Sequence, residues 1–374
     1  MNGTHEDEKC CKELESHKTN IPDKIVSELP RETGWLTEHI HLYNGFWYPP
    51  RVIHGLLALQ QHFKPHPNDV LLASYPKSGT TWLKALLFSI VNRGEYTHNA
   101  LQQQPLLTSN PHELVPWLET YASTNPTNPR PDSSLFHTHL GYPTLPQQIQ
   151  TSPCRIVYVF RDPKDVLVSC WHFLANLRPK HFPPISLQDA FHQFSRGASP
   201  FGPYWDHVTG YFKASVQSPD KVLFVRYEDL KTETVVHVTR LAEFLGRPFS
   251  AEEENQGVVR KIIDLCSFEK LSNLEVNKNG SHRETTSVIK NSVYFRKGEI
   301  GDSNNHLSGE MMEILDQITE EKFKDLGLVV SKLNDSRIIR YISRSVNVQT
   351  HTIARATYSI TGLCTWVDSP SLNE

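Results

Sequence analysis

The sequence has no run of eighteen consecutive apolar residues, which is about the minimum for a membrane-spanning helix. Residues 1–18 are polar and charged, so no signal peptide is predicted there. The formal net charge is only −3 at pH 7, which predicts no general attraction to nucleic acid or to an anionic membrane surface. Any site for an anion must therefore be local.

Cysteine is also scarce, with six residues scattered along 374 positions. They show no paired metal-binding spacing, and their density is too low for a disulfide framework. The histidines lack ligand spacing as well, so no metal site is expected. These features favour a reducing compartment, and the cytoplasm is the expected location.

What the sequence does contain is a strong anion-binding pattern. An apolar run at 69–74 predicts a buried strand, residues 75–82 read Tyr-Pro-Lys-Ser-Gly-Thr-Thr-Trp, and helical periodicity begins near Gly79 or Thr80. Free backbone N–H groups, the positive helix end, hydroxyls and the Lys77 charge would converge there. An ordinary strand-to-helix turn is the alternative. The lysine precedes the glycine, so this is not a Walker A loop, and phosphate binding is indicated without nucleoside triphosphate hydrolysis.

Further strand–loop–helix units follow, with predicted strands at 135–140, 155–160 and 221–227. This series predicts an α/β fold, a single domain with a central parallel sheet flanked by helices. Ligands of such sheets lie at the carboxyl ends of the strands, where the polar clusters of this chain fall. We expect a mobile N-terminal arm at 1–40, the domain at 41–330, and a C-terminal tail at 331–374.

These motifs together resemble the soluble sulfotransferases that use 3′-phosphoadenylyl sulfate (PAPS), and most of all their plant members. The likeness runs from the segment 42–47 to the segment 325–328. It implies a P-loop-like nucleotide-binding fold, with PAPS as co-substrate and no bound metal. It also implies transfer of a sulfuryl group to a hydroxyl of a small acceptor, such as a flavonoid, a phenol or a hydroxylated hormone.

Sulfuryl transfer needs a cation at the leaving phosphate, a base for the acceptor proton and a second grip on the nucleotide. Lys77 is the expected cation. His139 matches the catalytic base of the resembled family, and an imidazole can accept a proton near neutral pH. His137 lies two residues away on the same face of the predicted strand. The residues alone leave both histidines open, and the resemblance prefers His139.

The resemblance also assigns the contacts to the nucleotide. Arg161 and Ser169 match residues that bind the 3′-phosphate, and the triplet Arg296, Lys297 and Gly298 completes that clamp. For Trp82 and Tyr227, packing or capping is the alternative to contact with adenine. The remaining expected contacts are Lys77, Ser78, Gly79, Thr80, Thr81, Trp82, Tyr227, Cys266 and Phe268.

Several regions leave more than one interpretation open. The aromatic segment 43–48 either packs against the core or lines the acceptor pocket. The segment 92–134 is expected to contain loops that cover the acceptor site, and 277–291 is expected to be a flexible loop. The acceptor and the oligomeric state cannot be read from the sequence.

The chain departs from the family pattern at Gly141, where proline is usual, and at Ser303, where tryptophan is usual. No counterpart exists beyond about Val330. The tail is expected to be poorly ordered, with an extra hairpin or an altered gene model as alternatives. These departures make a catalytically impaired relative that still binds the nucleotide the main alternative function. A nucleotide kinase is disfavoured because the Walker A pattern is absent.

Overall fold

The structure is a computed structural model that describes residues 21–95, 104–131, 133–284, 287–326, 328–333 and 336–341. Within these ranges, no helix is both long and apolar enough to cross a membrane.

The first described residues form a helix and a small antiparallel sheet. Helix α1 (Ile21–Glu28) precedes strands β1 (Arg31–Thr33), β2 (His39–Tyr43) and β3 (Phe46–Tyr48), which pair in that order. Trp35 and Ile40 are buried. Residues 21–40 therefore pack with the domain instead of extending as the arm expected for 1–40, because these apolar side chains gain burial against its core. Residues 1–20 of that arm lie outside the described residues.

A four-stranded, fully parallel sheet forms the centre of the domain. Its strands are β4 (Val70–Ser74), β5 (Leu135–Thr138), β6 (Arg155–Phe160) and β7 (Val222–Arg226), in the spatial order β5-β4-β6-β7. The register brings their carboxyl ends to one edge of the sheet. The predicted α/β architecture with a central parallel sheet is confirmed.

Helices cover both faces of this sheet. Alternate residues of β4 face opposite sides, with Leu71 and Ala73 in one apolar layer and Val70 and Leu72 in the other. Such two-sided burial is what a nearly continuous apolar strand predicts. The helices after α1 are α2 (Pro50–His62), α3 (Thr80–Asn92), α4 (Pro111–Leu114), α5 (Leu118–Thr124), α6 (Gln147–Thr151), α7 (Pro163–Leu177), α8 (Leu187–Ser195), α9 (Tyr204–Gln217), α10 (Tyr227–Thr232), α11 (Thr234–Phe244), α12 (Ala251–Asn255), α13 (Val258–Leu265), α14 (Phe268–Asn273), α15 (Glu275–Lys278) and α16 (Gly309–Phe323).

Local sequence signals explain where the helices next to the strand ends begin. Helix α3 starts after Gly79, whose φ of +106° turns the chain out of the loop. Helix α7 starts after Asp162, whose carboxylate accepts the N–H of Lys164 at 2.8 Å, and Pro163 occupies the first helical position. Both helix N-termini therefore point to the carboxyl edge of the sheet.

Two hairpins complete the described chain. Strands β8 (Ser281–Glu284) and β9 (Ser287–Lys290) pair antiparallel where a flexible loop was expected at 277–291. That expectation is wrong for the paired residues. Their backbone N–H and C=O groups bond across the two strands, and the polar composition of the segment gave no sign of this pairing. Strands β10 (Leu328–Leu333) and β11 (Ser336–Tyr341) form the second hairpin at the start of the expected tail. Residues 342–374 lie outside the described residues.

Candidate active site

A cavity of about 710 Å³ opens at the carboxyl edge of the parallel sheet. Its wall brings together residues that are far apart in the sequence, and it includes every predicted site residue except Ser78. These are Lys77, Gly79, Thr80, Thr81, Trp82, His139, Arg161, Ser169, Tyr227, Cys266, Phe268, Arg296, Lys297 and Gly298.

Ser78 is the predicted residue that the cavity wall leaves out. Its side chain is buried inside the loop, and its backbone N–H donates to the carbonyl of Tyr75 at 3.3 Å. Its hydroxyl has no hydrogen-bond partner among the described residues. The hydroxyls that reach the cavity from this loop belong to Thr80 and Thr81 instead.

Lys77 occupies the apex of the loop in a left-handed backbone conformation, with φ at +68°. Such a conformation is strained for a residue with a side chain and is typical of functional sites. The ammonium group lies 4.1 Å from the ring centroid of Phe173. Burial, together with the positive charges of Arg161 and Arg296, lowers its pKa to about 8. The surroundings of Lys77 therefore destabilise its charged form, and a bound anion would stabilise it.

Two glycines allow aromatic rings to close on the cavity. A Cβ atom on Gly79 would lie 2.5 Å from Cδ2 of Tyr227, and one on Gly298 would lie 2.5 Å from Cδ2 of Phe268. Gly298 also has a φ of +65°. Trp82 packs edge-on against Tyr227, with ring centroids 5.8 Å apart. These rings form the apolar part of the nucleotide side of the cavity.

His139 follows β5 directly and is held at three points. Its Nδ1–H donates to the carbonyl of Ser74 at 2.8 Å, which leaves Nε2 as the proton-accepting nitrogen. Its backbone N–H donates to Oε1 of Glu119 at 2.8 Å, and its carbonyl accepts from Nε2 of His207 at 3.1 Å. Burial lowers the pKa of the imidazole to about 3. The ring is therefore neutral before reaction.

His137 reaches the same cavity. Its ring centroid is 5.1 Å from that of His139, and its Nδ1 lies 3.3 Å from the carbonyl of Pro116. Burial lowers its pKa well below the ordinary value. Both histidines are thus neutral, and both line the cavity wall. Geometry alone does not distinguish them as the base.

Two arginines of the cavity wall, Arg161 and Arg296, each keep one buried nitrogen without a hydrogen-bond partner among the described residues. Arg161 pairs with Asp165 at 3.0 Å, and Arg296 pairs with Asp302 at 2.6 Å. The Nε atom of each arginine is buried and has no hydrogen-bond partner within the described residues. Lys297 also pairs with Asp302, at 2.7 Å. Both arginines line the cavity, and a guanidinium group suits an anion such as phosphate.

The two departures from the family pattern are accommodated by the chain's own contacts. Gly141 donates its N–H to Oη of Tyr48 at 3.0 Å, a bond that proline could not make. The backbone N–H of Ser303 donates to Oδ1 of Asp165 at 2.9 Å, and Gly301 donates to the other oxygen at 2.8 Å. The segments that carry His139 and the Arg296 clamp are therefore both anchored by hydrogen bonds.

The cavity wall also includes residues that sequence reasoning did not single out. Tyr43, Phe46, Trp47 and Tyr48 do not line the cavity, and Phe46 and Tyr48 are buried in the core. Of the two interpretations of 43–48, packing is the one observed. From the segment 92–134, His112, Trp117 and Thr120 line the cavity. The residues added by the structure include Leu36, Ile40, Arg51, Val52, His112, Trp117, Thr120, Phe173, Phe201 and Tyr294.

A local signal could have located one of these missed residues. Asn110 and Glu113 form a capping box that starts α4, and His112 lies inside it. The other additions have no signal in the sequence because long-range packing alone brings them to the wall. Within the described ranges, no group of three or more His, Cys, Asp or Glu side chains is placed to hold a metal ion.

Comparison with known proteins gives consistent matches. Residues 67–327 match the family model described as the sulfotransferase domain. Cytosolic sulfotransferase 17 of Arabidopsis thaliana is 44% identical over 317 residues, which cover 83% of this chain and 90% of that protein. Flavonol 3-sulfotransferase of Flaveria bidentis is 44% identical over 315 residues, which cover 82% of this chain and 99% of that protein.

A solved structure agrees with these matches. It is a crystal structure of an Arabidopsis thaliana protein assigned as a steroid sulphotransferase. The two chains share 36% sequence identity and superpose with a TM-score of 0.65. The match covers 84% of this chain and 98% of the other.

Proposed function

The chain belongs to the sulfotransferase family, and we propose that it moves the sulfuryl group of PAPS to a hydroxyl of a small acceptor such as a flavonoid, a phenol or a hydroxylated hormone. The observation that carries this proposal is the composition of one cavity wall. It combines the cations Lys77, Arg161 and Arg296 with the neutral imidazole of His139. The names of the plant relatives support a flavonol-like acceptor and a cytoplasmic location.

The cationic residues would hold the nucleotide. Arg161, Ser169 and the segment 296–298 would bind its 3′-phosphate, since all of them line the cavity and a guanidinium group suits a phosphate. The loop 77–81 and the N-terminus of α3 would bind its 5′-phosphate. The adenine ring would lie among the aromatic and small side chains Trp82, Tyr227, Cys266 and Phe268.

The chemical step is an in-line transfer. The acceptor oxygen attacks sulfur while its proton passes to Nε2 of His139, and the bond between sulfur and the leaving phosphate oxygen breaks. The electron pair stays on that oxygen, where the Lys77 ammonium stabilises the developing charge. The products are a sulfate ester and adenosine 3′,5′-bisphosphate (PAP), with the proton on His139. The Ser74 carbonyl then stabilises the imidazolium through Nδ1–H.

The acceptor side of the cavity is mostly apolar. Ile40, Val52, Trp117 and Phe201 lie in its wall, and the rings of Trp117 and Phe201 are 6.0 Å apart. A flat, apolar molecule with one hydroxyl near His139 fits such a wall.

A radiolabelled PAPS assay against a panel of flavonols, phenols and hydroxylated steroids tests the proposal. We expect turnover of at least one acceptor. His139→Ala should lower kcat by about 10²- to 10⁴-fold while PAP affinity, measured by calorimetry, is retained. His192→Ala, at an exposed position on α8, is the control that should keep full activity. A chain that binds PAP but sulfates no member of the panel would favour the impaired relative instead.

A further inference from the structure

A buried lysine lies behind the nucleotide loop. Lys84 is fully buried on α3, and its Nζ lies 3.0 Å from Nδ1 of His112. The other ring nitrogen of His112, Nε2, lies 2.9 Å from the hydroxyl oxygen of Thr81. These three side chains therefore form a continuous chain of hydrogen bonds. It starts inside the protein and ends at a hydroxyl in the cavity wall.

The chemistry of the three groups gives this chain a direction. In its ammonium form Lys84 has three donors and no acceptor, so Nδ1 of His112 accepts from it. Burial lowers the pKa of His112 well below its ordinary value, and the Lys84 charge lowers it further. The neutral ring then carries its single hydrogen on Nε2 and donates it to Thr81.

The Thr81 hydroxyl oxygen is thereby used as an acceptor, and its own hydrogen must point elsewhere. Among the described residues, His112 is the one hydrogen-bond partner of this hydroxyl. Thr81 lies in the first turn of α3 and lines the cavity. A hydroxyl in this place, with its hydrogen turned to the cavity, is a donor for an anion.

The surrounding contacts hold the histidine ring in place. Its face stacks on Tyr294, with centroids 3.8 Å apart and an interplanar angle of 21°. Its backbone N–H donates to Oδ1 of Asn110 at 2.9 Å, and the Asn110 amide donates to Asn277 at 2.8 Å. Since Tyr294 precedes the Arg296 clamp, the ring connects the two segments proposed to grip the nucleotide.

We propose that Lys84 and His112 are positioning residues that fix the tautomer of the His112 ring and thereby turn the Thr81 hydroxyl hydrogen toward the bound phosphate. This inference rests on the proposed function, because the phosphate is that of the PAPS or PAP nucleotide. Neither residue needs to touch the reacting atoms. Their contribution is a donor whose orientation is set before the nucleotide arrives.

The first test is the tautomer itself, measured on the full chain without ligand. Nitrogen-15 spectra of histidine-labelled protein should show His112 with a hydrogen on Nε2 and a bare Nδ1 near neutral pH. The His112→Asn variant identifies the signal by its loss. A hydrogen on Nδ1, or a doubly protonated ring, would overturn the proposal.

The second test is a double-mutant cycle on PAP affinity, measured by calorimetry. Thr81→Val and His112→Asn should each weaken binding by about ten- to hundredfold, the loss expected for one hydrogen bond to a charged group. The double variant should be no weaker than the weaker single variant, because both remove the same donor. His112→Gln places an amide N–H near the original Nε2 and should restore most of the affinity.

Two outcomes would show that the ring acts only by packing and would overturn the proposal. One is that the losses of PAP affinity in the two single variants add in the double variant. The other is that His112→Gln binds PAP as weakly as His112→Asn. Melting temperatures of the four variants separate loss of folding from loss of affinity. If the unaltered chain does not bind PAP, the proposed function fails. The tautomer measurement would then still decide whether the hydrogen-bond chain exists.

Discussion

His139 and Ser74 are joined by a hydrogen bond of 2.8 Å between the imidazole Nδ1–H and the backbone carbonyl. Ser74 is the last residue of β4, and His139 follows the neighbouring strand β5. The Ser74 hydroxyl also lies 2.7 Å from that of Thr80, the first residue of α3. One serine therefore links the proposed base to the start of the nucleotide-binding helix.

The proposed role of His139 as the base predicts different results for the two cavity histidines. His139→Asn can keep an amide donor near the Ser74 carbonyl but cannot accept a proton, so kcat should fall by about 10²- to 10⁴-fold. The matched variant His137→Asn should lower kcat by less than about tenfold. Steady-state kinetics with PAPS and a reactive acceptor measure both. The opposite ranking would assign the base to His137.

The lowered pKa of Lys77 predicts a pH dependence of nucleotide affinity. The free side chain is a cation below its pKa of about 8 and loses its charge above it. PAP should therefore bind best below that pH and progressively more weakly as the pH rises to about 9.5, by at most tenfold per pH unit for one proton. Calorimetric titrations across this range measure the effect.

The matched control for that experiment is Lys77→Met. It should bind PAP weakly, and its affinity should change little over the same pH range. If PAP affinity still falls with rising pH in Lys77→Met, another group is responsible for the pH dependence.

Two glycines with the same backbone conformation provide a matched pair. Gly298 and Gly257 have φ values of +65° and +69°, but only Gly298 has a neighbour within 4 Å of an added Cβ, the ring of Phe268. Replacing either with alanine should cost about 1–2 kcal/mol of stability through strain. Only Gly298→Ala should also displace Phe268 and weaken PAP binding. Thermal unfolding and calorimetry separate the two effects, and equal affinities for PAP would contradict this account.

The buried His207 predicts a loss of stability in acid. Its ring bonds Tyr158 at 2.9 Å and the His139 carbonyl at 3.1 Å, and burial lowers its pKa to about 4. The unfolded histidine takes up a proton near pH 6.5 and the folded one does not until about pH 4, so lowering the pH favours unfolding. Over that interval His207 alone should remove about 3 kcal/mol.

The variant His207→Gln isolates this contribution. It should be less stable than the unaltered chain near neutral pH but lose less free energy of unfolding as the pH falls from 6.5 to 4. Denaturant titrations at each pH measure the difference. Carboxyl groups with raised pKa values, such as Glu119, act in the opposite direction in both proteins and so cancel in the comparison. Parallel curves for the two proteins would refute this role of His207.

Much of the fold could be predicted because its signals are local. The run 69–74 and the periodic residues after Thr80 identify a strand and a helix joined by the short loop around Lys77, and the structure has this strand, loop and helix. The same holds for β6 and its following helix α7. Placing His139 and Arg161 in one cavity then required only that carboxyl ends of parallel strands share an edge.

Other features could not be predicted because residues distant in the sequence decide them. The aromatic segment 43–48 packs inward, and the polar stretch 277–291 gains a hairpin partner, for reasons visible only after folding. Ser78 does not line the cavity although its neighbours Lys77 and Gly79 do. Neither composition nor periodicity reports such orientations.

By itself, the sequence determined the strand–loop–helix units of the central sheet, the residue types of the loop at 75–82 and the family to which the chain belongs. Only the tertiary structure decided which nitrogen of His139 is available to the acceptor and that His112 stands between Lys84 and Thr81. The physical reason is that a hydrogen bond depends on a few tenths of an ångström and on direction. Those quantities are set by how helices and strands pack against one another.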